Sequence, residues 1–426
     1  MKIKTLVTVL TIFFLHGSEK SSPGESSSNR LKTEAQTPSI EEQLKGLKLE
    51  EMRFSYPIDI YRFSMNKGYS PIKTMPPEVA VRMAQFLPPK DLAHLAKTSI
   101  PMRDVAKLAM TKLEFNNKPI DQINAALDRY AGPQLKTLII ENSDAQKLHW
   151  DKIAQCINLQ TLFLVNCKLI WSALPQELTA LTKLHYLSFA QNNLSAVDNW
   201  DILPKSLKGL YVWRCQLTLN ELPLRISQLS QLQELDFSND DLSHVLNWDI
   251  LPISLKNINL SDCGLTLNQL PEKIIELTQL QQLDLSMNNL SQVQNWNVLP
   301  AFLQVLSLDN GQLTLNELPE KIAQLTQLKI LTFAQNNLSN VQNWNILPLS
   351  LEELYLQQCQ LILNELPPRI SQLTQLKTLS LFLNNLEQVH NWAILNNLPQ
   401  FQDLYIQQSG VNHRPNIRQS INVRLQ

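Results

Sequence analysis

Glycine, cysteine and charge are all scarce in this sequence. Its 426 residues include 9 Gly and 5 Cys, and 18% of the residues are charged, below the roughly 25% of ordinary globular chains. So few glycines argue against a cofactor fold built on Gly-rich loops. The cysteines form no Cys-x-x-Cys pair and no Cys/His cluster, which argues against a metal site. We therefore predict neither a metal nor a cofactor.

An excess of one charge sign is also missing. The 37 Lys and Arg balance 38 Asp and Glu, for a formal net charge of -1. This excludes a nucleic-acid binder that works by bulk positive charge, and it gives no reason to expect a polybasic patch for a membrane surface. No run of 18 apolar residues follows the N-terminus, so we expect no membrane span.

Leucine is the abundant residue, with 78 copies, and the sequence repeats itself. The motif Asn-Trp-x-(Ile/Val)-Leu recurs every 48 residues, and Asn-(Glu/Gln)-Leu-Pro recurs with the same period. A fixed period of this length is typical of repeat architectures. The tryptophans of the first motif are Trp200, Trp248, Trp296, Trp344 and Trp392, and the prolines of the second are Pro223, Pro271, Pro319 and Pro367.

Each 48-residue period contains two copies of the pattern L-x-x-L-x-L-x-x-(N/C)-x-L. In the L-x-L centre the leucines point one way and the x residues the other, and no copy can bury its apolar side alone. The fourth-position residues follow one another at steps of 23 to 25: Leu138, Leu162, Leu187, Leu210, Leu235, Ile258, Leu283, Leu306, Leu331, Leu354, Leu379 and Leu404.

This pattern resembles the leucine-rich repeat family over residues 134–409. The resemblance implies an α/β solenoid, with one short strand per repeat stacked into a curved parallel sheet of about 12 repeats in 48-residue double units. In this family the ninth motif position turns inward and binds loop backbone. Cysteine and asparagine alternate there: Cys167, Cys215, Cys263 and Cys359 against Asn192, Asn288, Asn336 and Asn384.

The ladder cysteines and the periodic tryptophans both favour packing roles. Successive ladder cysteines lie at least two repeats apart, about 10 Å or more, which is beyond disulfide reach, so we predict free, buried thiols. We expect the five tryptophans to stack as a column in the outer wall. The alternative is a ladder of rings that stacks on a ligand.

The exposed strand positions, namely the third, fifth, seventh and eighth of each motif, predict a binding surface. Aromatic residues on such a face are typical of binding hot spots, and an acidic middle favours a partner with basic residues. The alternative is a face that is merely solvated. The residues predicted to contact a target protein are Tyr186, Tyr211, Trp213, Arg214, Glu234, Asp236, Asp262, Asp284, Asp309, Tyr355 and Tyr405.

The N-terminus predicts export. Residues 1–17 combine a basic start with a short apolar run from Leu6 to Leu15, as in a secretory signal peptide. An amphipathic or buried first segment is the alternative. Residues 18–70 form a disordered or weakly structured linker in this interpretation, since the polar stretch 18–38 cannot bury enough apolar surface.

Residues 71–108 read as three short helices with small apolar stripes. The motifs Met75-Pro76-x-Glu78, Phe86-Leu87 and Asp91-Leu92-x-x-Leu95 resemble the F-box family, although Ser99 and Met102 stand where that family usually has Cys and Trp. The resemblance implies docking to the Skp-type adaptor of a cullin ubiquitin ligase. The alternative is a plain helical cap for the repeats. The residues implied to face the adaptor are Pro76, Val79, Met83, Leu87, Leu92 and Leu95.

The ends of the array predict caps. Residues 109–133 are expected to hold an imperfect first strand around Leu113–Phe115 and a helix over Asp121–Tyr130, whereas the mildly basic tail 410–426 is expected to fray or to cap the last repeat. No Ser/His/Asp set, Gly-rich phosphate loop or unassigned cysteine is left for catalysis, so we predict no enzyme.

Two functional hypotheses follow. The first is a non-catalytic substrate-recognition adaptor, with F-box-like helices that hold the ligase and a concave face that holds its target. An exported protein with a cytosolic partner predicts a secreted bacterial effector that acts in a host cell. The second is a secreted or periplasmic recognition module whose helices are only a cap.

Overall fold

The computed structural model describes residues 81, 84–85, 87, 89–97, 100–268 and 270–425. The predicted signal segment 1–17, the linker 18–70 and three of the predicted adaptor contacts, Pro76, Val79 and Met83, lie outside the described residues. The chain divides into two compact units, residues 1–110 and 111–426.

The first unit contains two described helices, α1 (Pro89–Leu95) and α2 (Ile100–Ala109), which contact each other. Helix α1 begins at Pro89, because proline fits the first helical turn, where its missing N–H has no partner to lose. Asp91 therefore lies inside the first turn, where its negative charge is favourable.

The second unit is built on one 14-stranded parallel sheet, in which the strands follow one another in chain order. The fourth-position residues stand in line across it: Leu235 pairs with Ile258, and Ile258 with Leu283. This confirms the predicted repeat register. The strands are β1 (Lys112–Asn116), β2 (Thr137–Glu141), β3 (Thr161–Val165), β4 (Tyr186–Ser188), β5 (Gly209–Tyr211), β6 (Glu234–Asp236), β7 (Asn257–Asn259), β8 (Gln282–Asp284), β9 (Val305–Ser307), β10 (Ile330–Thr332), β11 (Glu353–Tyr355), β12 (Thr378–Ser380), β13 (Asp403–Tyr405) and β14 (Asn422–Arg424).

Both ends of the array carry one strand more than the twelve repeats. At the start, β1 is followed by helix α3 (Ile120–Tyr130), and helix α4 (Trp150–Ile153) lies between β2 and β3. At the other end the tail does not fray, because β14 pairs with β13 and adds a strand.

The connections on the outer side alternate between two kinds of 3-10 helix. One kind starts after the periodic proline and buries one isoleucine, and the other starts at the periodic tryptophan. The first kind comprises Leu224–Gln228, Glu272–Glu276, Glu320–Gln324 and Pro368–Gln372, with an early member at Gln176–Ala180; the second comprises Trp200–Ile202, Trp248–Ile250, Trp296–Val298, Trp344–Ile346 and Trp392–Asn397.

A side-chain clamp joins the two periodic motifs. The Asn295 amide before Trp296 accepts a hydrogen bond from Leu270 N at 2.7 Å and donates one to Leu270 O at 2.9 Å. Leu270 precedes the proline of the other motif. The same pair of hydrogen bonds recurs in every double unit and joins the Asn-Trp motif to the Leu-Pro motif. The pairs are Asn199–Leu174, Asn247–Leu222, Asn295–Leu270, Asn343–Leu318 and Asn391–Leu366.

The ninth-position ladder is buried and hydrogen-bonded to backbone. Asn288 Oδ1 accepts from Cys263 N and Leu265 N at 3.1 and 3.0 Å, and its Nδ2 donates to three carbonyl oxygens. Cys263 Sγ donates to Phe237 O at 3.3 Å. All five thiols are free and buried. Burial raises the pKa of Cys263 to about 12, so the reactive thiolate is scarce at neutral pH.

A left-handed residue follows every repeat strand. The eighth motif position has a φ between 49° and 61° in all twelve repeats, and none of the twelve residues is glycine. Residues other than glycine rarely adopt this backbone conformation, but it turns the chain so that the ninth residue points inward. The series includes Gln191, Arg214, Met287 and Leu383. Few glycines therefore do not mean few left-handed turns.

The periodic tryptophans are buried in the outer wall, each 6% or 7% exposed. The predicted stacking is wrong. Successive rings are two strands apart, about 10 Å, and the ring contacts recorded in the described part of the chain join other aromatic residues: Trp150 with Trp171, Trp171 with Phe189 and Phe163 with Tyr211. Instead, Trp248 Nε1 donates to Val245 O at 3.0 Å within its own turn.

Candidate protein-binding face

The outward positions of the sheet form a continuous face. The central leucines of the strands are buried, while all eleven residues predicted to contact a target are half-buried or exposed. The structure therefore places them on the accessible side. Whether they contact a target stays a prediction.

A shallow depression of about 200 Å³ lies in the middle of this face, across β5 to β9. Four of the predicted residues line it, namely Tyr211, Glu234, Asp236 and Asp284. The outward positions of β6 to β9 include five acidic residues and no Lys or Arg. We call Glu234, Asp236, Asp262, Asp284 and Asp309 the acidic segment.

Three carboxylates of the acidic segment are held in place by backbone. Asp236 Oδ1 accepts from the N and Oγ of Ser238 at 2.9 and 2.7 Å, and Asp284 Oδ1 accepts from Ser286 N at 2.9 Å. Asp309 Oδ1 accepts from Ala334 N at 2.6 Å in the next repeat. These bonds fix where the negative charges stand.

Burial raises the pKa of both Asp236 and Asp309, and the negative charge of Asp284 raises each further, while hydrogen bonds from the serine, threonine, asparagine and backbone groups around them act in the opposite direction. Both carboxylates are partly desolvated, and no cationic side chain lowers the pKa of either one. A cation that enters the depression would stabilise the negative charge of Asp236, which lines it.

Tyr211 closes one end of the depression. Its hydroxyl donates to Glu234 Oε2 on the next strand, and its ring meets Phe163 edge-on at a centroid distance of 6.0 Å. Burial, together with the carboxylate of Glu234, raises the pKa of Tyr211, so the hydroxyl stays a donor. Gly209 makes room for this arrangement, because a Cβ there would lie 2.8 Å from both Tyr186 Cδ1 and Tyr211 Oη.

The other predicted residues lie outside the depression. Trp213 and Arg214 follow β5, and the Arg214 guanidinium lies 6.0 Å from the Trp213 ring centroid. Asp262 stands exposed after β7. Tyr355 donates to Glu353 Oε2 at 2.6 Å on β11, and Tyr405 is on β13. The structure therefore gathers four of the predicted residues in one depression and spreads the remaining seven along the face.

Three amide side chains complete the depression and were missed by the sequence reasoning. Asn257, Asn259 and Gln282 line it between the carboxylates, and Asn259 Nδ2 lies 3.4 Å from Asp236 Oδ2. They occupy the same third and fifth motif positions as the acidic residues. Reading those positions for amides as well as for charges and rings would have found them.

The described residues contain no group of three or more His, Cys, Asp or Glu side chains placed to hold a metal ion. Within the same residues, no helix has both the length and the apolarity needed to cross a bilayer.

The adaptor positions within the described residues differ in accessibility. Leu92 and Leu95 are 3% and 7% exposed, so the chain itself covers them, while Leu87 is half-buried. Of these three, Leu87 is the one that a partner could reach without a rearrangement of α1.

No family model matches the chain, and no curated protein matches it in sequence. Solved structures do match. A leucine-rich repeat protein of Leptospira interrogans aligns over 78% of this chain and 94% of its own, with a TM-score of 0.52 and 21% identity. An internalin of Listeria monocytogenes aligns over 74% and 93%, with a TM-score of 0.51 and 18% identity.

The fold is a leucine-rich repeat solenoid. A third structure, the Toll–Spätzle complex of Drosophila, aligns over 72% of this chain with a TM-score of 0.53 and 19% identity, and the aligned part is 42% of that chain. At these identities the likeness extends to the fold of the solenoid alone.

Proposed function

We propose that the chain is a non-catalytic protein-recognition module whose sheet face binds a basic segment of a target protein. The acidic segment carries this proposal, because it presents five acidic residues on neighbouring strands without a basic residue among the outward positions. A chain of similar fold occurs in the Toll–Spätzle complex of Drosophila.

The chemistry of the depression favours a lysine or arginine side chain. Asp236 and Asp284 would supply the charge, Asn257, Asn259 and Gln282 the additional acceptors, and the Tyr211 ring an aromatic wall of the kind on which cations rest. Charge complementarity of this type mainly sets specificity and association rate, and it weakens with salt for the exposed part of the surface.

A random-peptide display screen on the full chain tests this function. We expect the enriched peptides to be rich in Lys and Arg. The double variant D236N/D284N keeps an acceptor oxygen at each site but removes two charges, so it should weaken binding of those peptides at least about ten-fold. The measurement is peptide affinity by calorimetry at two salt concentrations.

The matched control is D201N/D249N, which changes the net charge equally at two exposed positions on the tryptophan-bearing 3-10 helices. It should leave affinity unchanged. Enrichment of acidic or purely apolar peptides, or equal losses in both double variants, would show that the depression does not recognise cations.

We propose further that the first unit makes this module an adaptor, with its F-box-like helices bound to the Skp-type subunit of a cullin ubiquitin ligase. The supports are the motif spacing in residues 75–95 and the presence of helices at Pro89–Leu95 and Ile100–Ala109. A target held on the sheet face would then be close to the ligase, which raises its effective concentration. Export through residues 1–17 and delivery into a host cytoplasm belong to the same proposal.

A pull-down with a purified Skp-type adaptor tests the docking step. We expect the full chain to retain the adaptor and Leu87→Asp to lose it at least about ten-fold, since a charge would enter an apolar contact. Leu108→Asp is the control, because Leu108 is 52% exposed on α2 and lies outside the F-box motifs. If the folded chain does not bind, it is a recognition module with a helical cap.

A further inference from the structure

One position of the ninth-position ladder carries a carboxylic acid. Asp240 follows β6 at the place where Asn192, Asn288, Asn336 and Asn384 stand in equivalent repeats. It is 5% exposed. An ionisable group at this depth calls for a compensating partner.

Asp240 keeps part of the acceptor role of the ladder asparagines. Its Oδ1 accepts from Leu217 N at 2.9 Å, as Asn288 Oδ1 accepts from Leu265 N at 3.0 Å in the next double unit. This oxygen therefore keeps one of the two backbone N–H bonds that Asn288 Oδ1 accepts.

The donor role of the ladder asparagines is not preserved at Asp240. Asn288 Nδ2 donates to the carbonyl oxygens of Leu260, Leu285 and Ser286 at 2.8 to 3.1 Å. In the repeat of Asp240 the equivalent carbonyls are those of Val212, Phe237 and Ser238. Asp240 Oδ2 takes the place of the amide nitrogen and has no hydrogen-bond partner. A carboxylate has no hydrogen to offer to carbonyls, whereas a protonated acid has one.

We propose that Asp240 keeps its proton in the folded protein and replaces asparagine as a donor, so that the solenoid around β5 and β6 is a pH-sensitive element that loosens when this proton leaves. The proposal is independent of any target. It concerns the segment beside the depression, because Asp236 and Asp240 belong to the same repeat.

The surroundings of Asp240 support this assignment. Burial raises its pKa to about 7 against the opposing effect of backbone N–H groups, and the negative charge of Asp236 adds to the rise. The thiols of Cys215 and Cys263 flank it in the neighbouring repeats and are themselves kept neutral by burial. Arg214 and Asp241 are nearby in the chain but exposed, bound to Asn239 and Ser243 respectively.

The raised pKa fixes the direction in which stability changes with pH. The pKa of Asp240 is raised in the folded state, from an ordinary 3.8 to about 7. Its contribution to stability is therefore fully present below pH 3.8 and declines as the pH rises to about 7. Above pH 7 the repeat holds a buried carboxylate with no donor to its second oxygen.

Hydrogen exchange on the full chain, measured by peptide mass at pH 5.5 and pH 8.5, tests the proposal. Comparison of wild type with D240N at each pH cancels the intrinsic pH dependence of exchange. We expect the ratio of the wild-type to the D240N exchange rate, for peptides within 212–242, to be at least about ten-fold larger at pH 8.5 than at pH 5.5, since each pH unit between 5.5 and the folded pKa of about 7 corresponds to a factor of ten.

Two further variants make the test specific. D241N removes an equal charge at an exposed neighbour and should leave the exchange of these peptides unchanged at both pH values. N288D places an acid in another ladder position and should create the same pH dependence within 260–290. A wild-type to D240N ratio that does not change with pH, or D240N less protected at both pH values, would overturn the proposal.

Discussion

Replacing Trp248 by alanine should lower the free energy of unfolding by about 3–5 kcal/mol, the usual range for a buried aromatic residue cut back to alanine. The ring is 7% exposed, and its Nε1 donates to Val245 O at 3.0 Å. The variant loses this bond as well as the packing. Because repeats gain their stability from their neighbours, a cavity in the middle of the array weakens repeats on both sides.

Urea denaturation followed by circular dichroism measures this effect. The control is Leu246→Ala, two residues earlier in the chain, whose side chain is 87% exposed and should change stability by less than about 0.5 kcal/mol. If Trp248→Ala costs no more than Leu246→Ala, the buried tryptophan does not stabilise the outer wall, and the alternative of a ligand-binding role for the rings would be favoured.

Replacing Asn288 by alanine should cost about 2–4 kcal/mol, because each buried backbone group left without a partner costs about 1–3 kcal/mol and neighbouring groups relax in part. Asn288 is 2% exposed. Its amide satisfies the N–H groups of Cys263 and Leu265 and reaches three carbonyl oxygens.

The same denaturation experiment, combined with hydrogen exchange, distinguishes local loss of hydrogen bonds around Asn288 from a general loss of stability. Faster exchange should be concentrated at the amides of Cys263 and Leu265, which lose their acceptor. Gln292→Ala, an exposed substitution four residues away, should leave both stability and exchange unchanged. Unchanged protection at these two amides in Asn288→Ala would show that other groups replace the side chain.

The repeat spacing predicted the sheet and its register because both depend on where the leucines fall. Leu235, Ile258 and Leu283 pair where the pattern puts them. The clamp between Asn295 and Leu270 was beyond the same reasoning, because a period tells which residues recur and not which residues touch. β14 was missed because Val423, paired with Leu404, follows it by only 19 residues, outside the step of 23 to 25 that defines the repeats.

For the candidate site, the motif positions identified the face but not its internal contacts. Tyr211 could be placed on the surface from its fifth-position register. Its bond to Glu234 depends on the side-chain rotamer and on the missing Cβ of Gly209, neither of which follows from spacing. Asp240 was overlooked because the ladder was read for cysteine and asparagine, although a third residue type at that position was visible in the sequence.

The asparagine clamp also restricts how such a gene can grow or shrink. Each clamp joins two repeats of different type, as Asn343 and Leu318 show. Loss of a single repeat would place two repeats of the same type side by side and leave one clamp residue without its partner. Duplication or deletion by recombination would conserve the clamps only in steps of 48 residues. The length of the sheet face would then change by two strands, about 10 Å, at a time. Lineages that share this architecture should differ by whole double units.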